Sequence, residues 1–432
     1  MIFLTDKDSR LLYRILWLKQ NERIGTIMKR RNLAIFMGAL LAISLTATGC
    51  KSKSGEPAAV TEGATTASTT ASAEKTEEST KAAQESKADA QTTDARKLAK
   101  ELLTRHVKPE DVITEDVIQA LIAELKNSYQ FEKLDNLKIA SGEWAYVADG
   151  KGWFEDLFGD NNTRVTTVEG TIGNEAQLME RGELHFSGRM LYPYLLYKSQ
   201  GADISAIQLS EDPSPKIVTI LVDAKSDINS IEDLKGKTIG SWNAGCQYVA
   251  LLEQTENLGW EEQKDWTYKN VSQDGLKTAL LAGELDAISV HPLTGFNSGI
   301  IDGSLKEIGN ALEGGTYQNY GGATVFFSPT KFAGENVNIL KAVLKLHEAV
   351  ADYILDNEEE AAKVVEKITR IPVENTIFWW ERSKETFYTS NDTLENITSE
   401  TDKYQDWLLD HGIIDNGHKI NADDFFLKSY FE

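Results

Sequence analysis

Two cysteines, six histidines and a single arginine in a short polar stretch are where chemistry would have to reside in this 432-residue chain. Zinc catalysis on a helix needs two histidines four residues apart with a glutamate between them. His347-Glu348 begins such a helix, but Ala351 occupies the second ligand's place. The remaining histidines are scattered and Cys246 stands alone in its segment, so neither a metal cluster nor a Cys–His pair is legible. No glycine-rich phosphate loop of the Gly-x-Gly-x-x-Gly or Walker type occurs either. Catalysis, metal and cofactors are therefore not expected, which leaves binding. Arg189, in Ser187-Gly188-Arg189, carries a planar fork of donors suited to a carboxylate or sulfonate, or to a neighbouring acid.

The elements that would position such residues alternate strand, polar loop and helix. Leu137–Ala140, Thr163–Val168 and Glu183–Phe186 read as strands, with helices expected over Val147–Phe158 and Asn174–Arg181. A second run follows Lys216–Asp223, with strands ending near Gly240 and Val290 and a helix opening at Ser241–Gln247. Alternation of this kind calls for a parallel sheet covered by helices. Long helices from Asn338 onward complete the chain.

Charge narrows the partners. The chain carries a net −22, although residues 1–49 hold eight Lys/Arg against three acids. The remainder is strongly acidic and repels phosphate backbones, which excludes nucleic acid as a partner. Met28-Lys-Arg-Arg31 and the apolar run Leu33–Ala47 form a signal peptide. Leu45–Cys50 resembles the bacterial lipobox, which implies lipidation of Cys50 and a membrane-anchored, extracytoplasmic protein. Met28 is then the expected start, with residues 1–27 upstream of the functional product. With Cys50 lipidated, no intrachain disulfide is available and Cys246 is a free thiol. Residues 50–94 are poor in large apolar side chains, so a disordered tether is expected there. Residues 95–136 follow as a helical extension, with Val117, Leu121, Ile122 and Leu125 on one face.

Four stretches carry a family resemblance. Ala176–Gly188, Asp227–Gly240, Leu280–Pro292 and Thr401–Phe426 together resemble the type II periplasmic solute-binding proteins. Within these, they are similar to the nitrate/sulfonate/taurine-binding and thiamine-precursor-binding group. The resemblance implies an α/β, two-lobe periplasmic-binding-protein-like II fold, with two hinge crossings and mixed sheets flanked by helices. Lobe 1 would comprise 137–221 and 323–432, lobe 2 would comprise 222–322, and the hinges would lie near Ile217–Asp223 and Gly322–Ser328. It also implies a monomeric subunit that passes a small-molecule solute to an ABC permease and ATPase. A lipid-anchored sensor or docking protein is an alternative. A cytosolic pyrimidine- or menaquinone-precursor enzyme of this fold is disfavoured by the lipobox. Two departures, His291 before Pro292 and the loop Trp242–Gln247, bear on the ligand.

Ligands of open α/β sheets sit at strand ends. The resemblance thus places Ser141, Glu143, Trp144, Gly170, Thr171, Ser187, Gly188 and Arg189 on one side of the cleft. Trp242, Asn243, Gly245, Cys246, Gln247 and His291 line the other, with Tyr320 at its edge. Arg189 would take an anionic head group, and Glu143 an amine or Arg189 itself. Trp144, Tyr146, Trp242 and Tyr320 would stack on a flat or apolar body. Trp379-Trp380 is expected to serve packing.

Overall fold

Strands in this protein are four to six residues long, and the most apolar of them, such as Ile204–Leu209 and Ala287–Val290, are buried throughout. The computed structural model describes residues 93–210, 217–310, 323–383, 388–415, 417 and 419–431. The expected leader, Cys50 and nearly all of the tether lie outside the described residues, as does Tyr320.

In the first lobe, β1 (Asn136–Ala140) and β2 (Arg164–Val168) pair in parallel, with Asn136 opposite Arg164 and Ala140 opposite Val168. Leu137 and Ile139 are fully buried on one face of β1. β3 (Ser187–Met190) and β4 (Ile204–Leu209) flank β10 (Thr324–Pro329), which runs antiparallel to both. A bridge between Ile139 and Phe186 ties β1 to the segment entering β3. All six residues of β4 are buried, with Ile204, Ala206 and Leu209 in one apolar cluster and Ile207 in another.

The second lobe is one mixed sheet in the order β7-β6-β8-β5-β9. Its strands are β5 (Thr219–Asp223), β6 (Thr238–Ser241), β7 (Thr267–Asn270), β8 (Ala287–Val290) and β9 (Leu305–Asn310). β6 is parallel to β7 and β8, whereas β5 runs antiparallel to β8 and β9. Gly240 is needed where the sheet meets its cover, because a Cβ there would lie 2.4 Å from Leu285 Cδ1.

The two-lobe α/β fold with mixed sheets is thus present, with changes in detail. The expected hinges are strands: Thr219–Asp223 belongs to the second sheet and Thr324–Pro329 is the middle strand of the first. The boundary drawn after residue 221 accordingly falls inside β5. Residues 211–216 and 311–322 lie outside the described residues. The helix expected over Val147–Phe158 is two, Glu143–Gly150 and Trp153–Phe158, broken at Gly152 with φ 78°.

The stretch read as a continuous helical extension also divides. Residues 93–102 form one helix and Glu115–Ser128 another, with non-helical chain between them. Thr114 caps the second, its Oγ1 accepting from the Val117 N–H at 3.3 Å. Val117, Ile118, Leu121, Ile122 and Leu125 are buried in the same apolar cluster as the long helix Val337–Asp356. No helix among the described residues is long and apolar enough to cross a membrane.

Candidate functional site between the lobes

Strand β3 carries the first part of the site. Arg189 was expected in a loop, but it lies in the strand, opposite Val325 of β10. Periodicity could not reveal this, because the strand's partner arrives from the far end of the chain. Gly188 is required at this crossing, as a Cβ would lie 2.9 Å from Phe326 Cε1. Its function is thus close packing behind the site. Ser187 is buried beside it, 2% exposed.

The Arg189 guanidinium is largely buried, with its side chain 15% exposed, and lies 3.5 Å from the Glu175 carboxylate. Among the described residues it makes this ion pair and no hydrogen bond. Glu175 is 1% exposed, and its Oε2 accepts from the Tyr197 hydroxyl at 2.5 Å and the Gly173 N–H at 2.9 Å. Oε2 of Glu175 is therefore spent on neutral donors, and only Oε1 faces Arg189, at 3.5 Å, so the forked donors of Arg189 are not taken up by hydrogen bonds to it. Sequence reasoning paired Arg189 with Glu143 or a ligand and missed Glu175. Its signal was an acid in the first turn of a helix just beyond a glycine-rich loop.

The second lobe closes over this arginine. Tyr192 Oη donates to the Asn243 carbonyl at 2.9 Å. Gly173, at φ +84°, lies under the Trp242 ring, so a Cβ there would meet Trp242 Cη2 at 3.1 Å. Thr171 is buried in the same loop, and Gly170 takes φ +65° at its start. Cys246 opens the helix Cys246–Asn257, whose N-cap Gly245 has no side chain with which to cap it. Cys246 Sγ lies 2.8 Å from His291 Nε2 and 2.9 Å from Met190 Sδ. His291 Nδ1 faces the Ile217 carbonyl at 2.7 Å, and its ring stands edge-on to Trp379 with centroids 6.3 Å apart.

A Cys–His pair that the sequence had hidden is therefore present. Its electrostatics oppose nucleophilic catalysis. Burial pushes the Cys246 thiol up to about 12, against a smaller opposing effect of Arg189. Burial, and then Arg189, hold His291 down to about 4 despite its bond to Ile217. A thiolate–imidazolium pair needs both shifts reversed. The neutral forms fit a thiol donating to the Nε2 lone pair while Nδ1–H donates to the carbonyl. Cys246 is free and buried. No cluster of three His, Cys, Asp or Glu side chains spaced for a metal ion occurs among the described residues.

Other expected residues are placed differently. Glu143 and Trp144 were read as loop residues, but the helix Glu143–Gly150 already contains both. The Trp144 ring stands edge-on to Phe154, Phe186 and His347, which commits it to packing within the first lobe. Burial raises the Glu143 carboxyl above its usual range. Ser141 follows β1, its N–H donating to the Val168 carbonyl at 2.9 Å, and Tyr146 donates to Glu169 at 2.9 Å. Gln247 turns away, its Nε2 donating to Gln273 Oε1 at 2.9 Å within the second lobe. Of the tryptophan pair read as packing, Trp380 is fully buried, whereas Trp379 reaches His291. That position was not legible, because adjacent helix residues point in different directions.

Comparison with known proteins places this arrangement. The family model described as NMT1/THI5 like matches residues 144–361. A putative aliphatic sulfonates-binding protein of Bacillus subtilis (strain 168) is 29% identical over 145 residues, 33% of this chain and 43% of that protein. The match thus spans less than half of that curated relative. The alkanesulfonate-binding protein SsuA from Xanthomonas axonopodis pv. citri, bound to MOPS, superposes with a TM-score of 0.58 at 20% identity, covering 68% of this chain and 98% of that one. The periplasmic aliphatic sulphonate binding protein SsuA from Escherichia coli gives 0.58 at 16% identity, covering 69% and 99%. These structural likenesses establish the periplasmic-binding-protein fold.

Proposed function

The chain belongs to the NMT1/THI5-like family, and from that premise we propose that it is the solute-capturing subunit of an ABC importer for a small organic anion of the sulfonate class. The observation that supports this most directly is Arg189: a cation 15% exposed, between the lobes, ion-paired with Glu175 but with its forked donors uncommitted. Water is scarce there, so an anionic head group binds it more strongly than at an exposed site. Capture follows from closure: an anion meets Arg189 in the first lobe, and the second lobe then covers it through Trp242, Asn243 and the Cys246 turn. Sulfonate-binding relatives support the class of ligand. Binding without catalysis is consistent with the protonated thiol and neutral imidazole.

In this reading, Cys50 anchors the protein by lipid to the outer face of the cell membrane, and a permease and ATPase are its partners. Radiolabelled palmitate incorporation that C50S does not abolish would remove the anchor from the proposal. The ligand is tested by calorimetry with alkanesulfonates, taurine and the matching carboxylates. Submillimolar binding of at least one sulfonate is expected, with R189A weakened by about 2 kcal/mol or more, roughly thirtyfold. Affinity indifferent to R189A would overturn the assignment.

A further inference from the structure

The helix Val373–Ser383 packs with the first lobe, yet two of its polar side chains are committed to the second. Trp380 is fully buried in the first lobe's apolar cluster, which also holds Val365 and Tyr353, and Val373 and Ile377 pack against that cluster. Another face meets the helix Thr294–Ile301 of the second lobe. Asn375 Nδ2 donates to Asn297 Oδ1 at 2.9 Å, and Asn297 Nδ2 donates to the Asn375 carbonyl at 2.8 Å. The two residues are 4% and 2% exposed. Arg382 Nη2 donates to Glu307 of β9, with its guanidinium over the Phe378 ring.

These contacts gather where the chain enters and leaves the second lobe. The lobe's described part runs from Ile217 to Asn310, and its two ends lie together, since Thr219 faces Asn310 across β5 and β9. His291, edge-on to Trp379, is bonded to the Ile217 carbonyl, and the Arg382 partner Glu307 lies opposite Leu221. When two lobes swing about the chain that joins them, points beside that axis move least, so contacts there survive a motion that parts the far rim. A buried amide pair suits such a place, because separating it would strand directional donors and acceptors in the interior. The cleft contacts differ: Tyr192 reaches the backbone of an exposed residue, Asn243, and Trp242 merely covers Gly173. We propose that the helix Val373–Ser383 is the pivot of lobe motion, held to the second lobe through Asn297–Asn375 and Arg382–Glu307 in both open and closed states. The cleft contacts part when the lobes open; the pivot contacts do not. No particular ligand is implied, so failure of the anion reading leaves this inference standing.

Electron–electron double resonance on the ligand-free, spin-labelled full chain tests it. The background is C50S, which by itself should take up no label because Cys246 is buried. One label pair, I172C with K269C, spans the cleft, and a second, I301C with E374C, spans the pivot; all four positions are exposed. The cleft pair should give a distance distribution at least about twice as broad as the pivot pair. N297A, which removes both amide bonds, should broaden the pivot pair, and the milder R382Q should do so to a smaller extent. Circular dichroism verifies that each variant is folded, and R382Q carries the test if N297A is not. Three results would overturn the proposal: a pivot pair as broad as the cleft pair, a cleft pair as narrow as the pivot pair, or a pivot pair unchanged in the folded variants.

Discussion

Tyr192 of the first lobe and Asn243 of the second are joined directly, the phenol Oη donating to the main-chain carbonyl at 2.9 Å. Because the acceptor is backbone, no substitution at position 243 that keeps the loop in place removes it. The phenol itself is strongly desolvated and stays protonated, so it remains a donor across the ordinary pH range. The two lobes are thus in direct contact in this structure, and Tyr192 bridges them.

Replacing Tyr192 by Phe removes that bond and little else. A net loss of about 1 kcal/mol of closure free energy is expected, or roughly fivefold weaker ligand affinity, seen as faster dissociation. Stopped-flow displacement reads this. An unchanged dissociation rate would show that closure does not depend on that bond.

The pH dependence of stability has a defined direction at His291. Its folded value is held near 4, chiefly by burial, whereas an unfolded histidine titrates near 6.5. Between these values the unfolded chain binds the extra proton. The contribution is therefore complete above pH ~6.5 and is lost as pH falls through this window towards 4. The slope is about 1.4 kcal/mol per pH unit for one such group. His185 and His347, also depressed to about 4 by burial, act in the same sense. Asp352, raised to about 7, acts against them, since its contribution is lost as pH rises towards 7. Comparison of the parent with H291Q isolates the one group: urea unfolding at pH 5 and pH 7 should show a shallower pH dependence in the variant. Equal slopes would count against a buried neutral imidazole.

What the sequence revealed and what it withheld follow from locality. Alternating strands and helices are local patterns, so helix-covered α/β sheets were legible, as was the apolar face Val117–Leu125, whereas the two-lobe arrangement came from the family resemblance. The sheet membership of β5 and β10 was not, because their partners lie far along the chain and reverse direction. Glu143 and Trp144 were misplaced because their helix starts after Gly142 with no side-chain cap to announce it. The meeting of Cys246 with His291 depends on a helix start and a strand end 45 residues apart, which no spacing rule encodes.

The stretch 93–128 is fastened through Glu348, a carboxylate 3% exposed in the helix Val337–Asp356. It meets His106 Nδ1 at 2.7 Å and accepts from Gln208 Nε2 at 2.6 Å and Thr389 Oγ1 at 3.0 Å. E348A leaves the buried Gln208 and Thr389 without this acceptor and releases the part-exposed His106. A loss of about 3 kcal/mol is expected, together with early proteolysis near His106. A thermal midpoint within a degree of the parent would contradict that role.

Glu175 and Arg189 yield the sharpest functional contrast, because the two substitutions should change affinity in opposite directions. Glu175 competes with the ligand for the guanidinium at 3.5 Å, while Tyr197 and the Gly173 N–H hold it in place. E175Q preserves the shape but removes the competing charge, so Arg189 becomes a buried cation without a counter-ion. Stability of the free protein should fall by about 3 kcal/mol. Affinity for a sulfonate should rise, because the ligand now supplies the missing charge, and the ligand-induced increase in thermal midpoint should exceed that of the parent. R189A should lose both affinity and that increase. Calorimetry and thermal shift on the three proteins with one sulfonate decide the matter. If E175Q weakens binding as R189A does, Glu175 orients the arginine for the anion instead of competing with it.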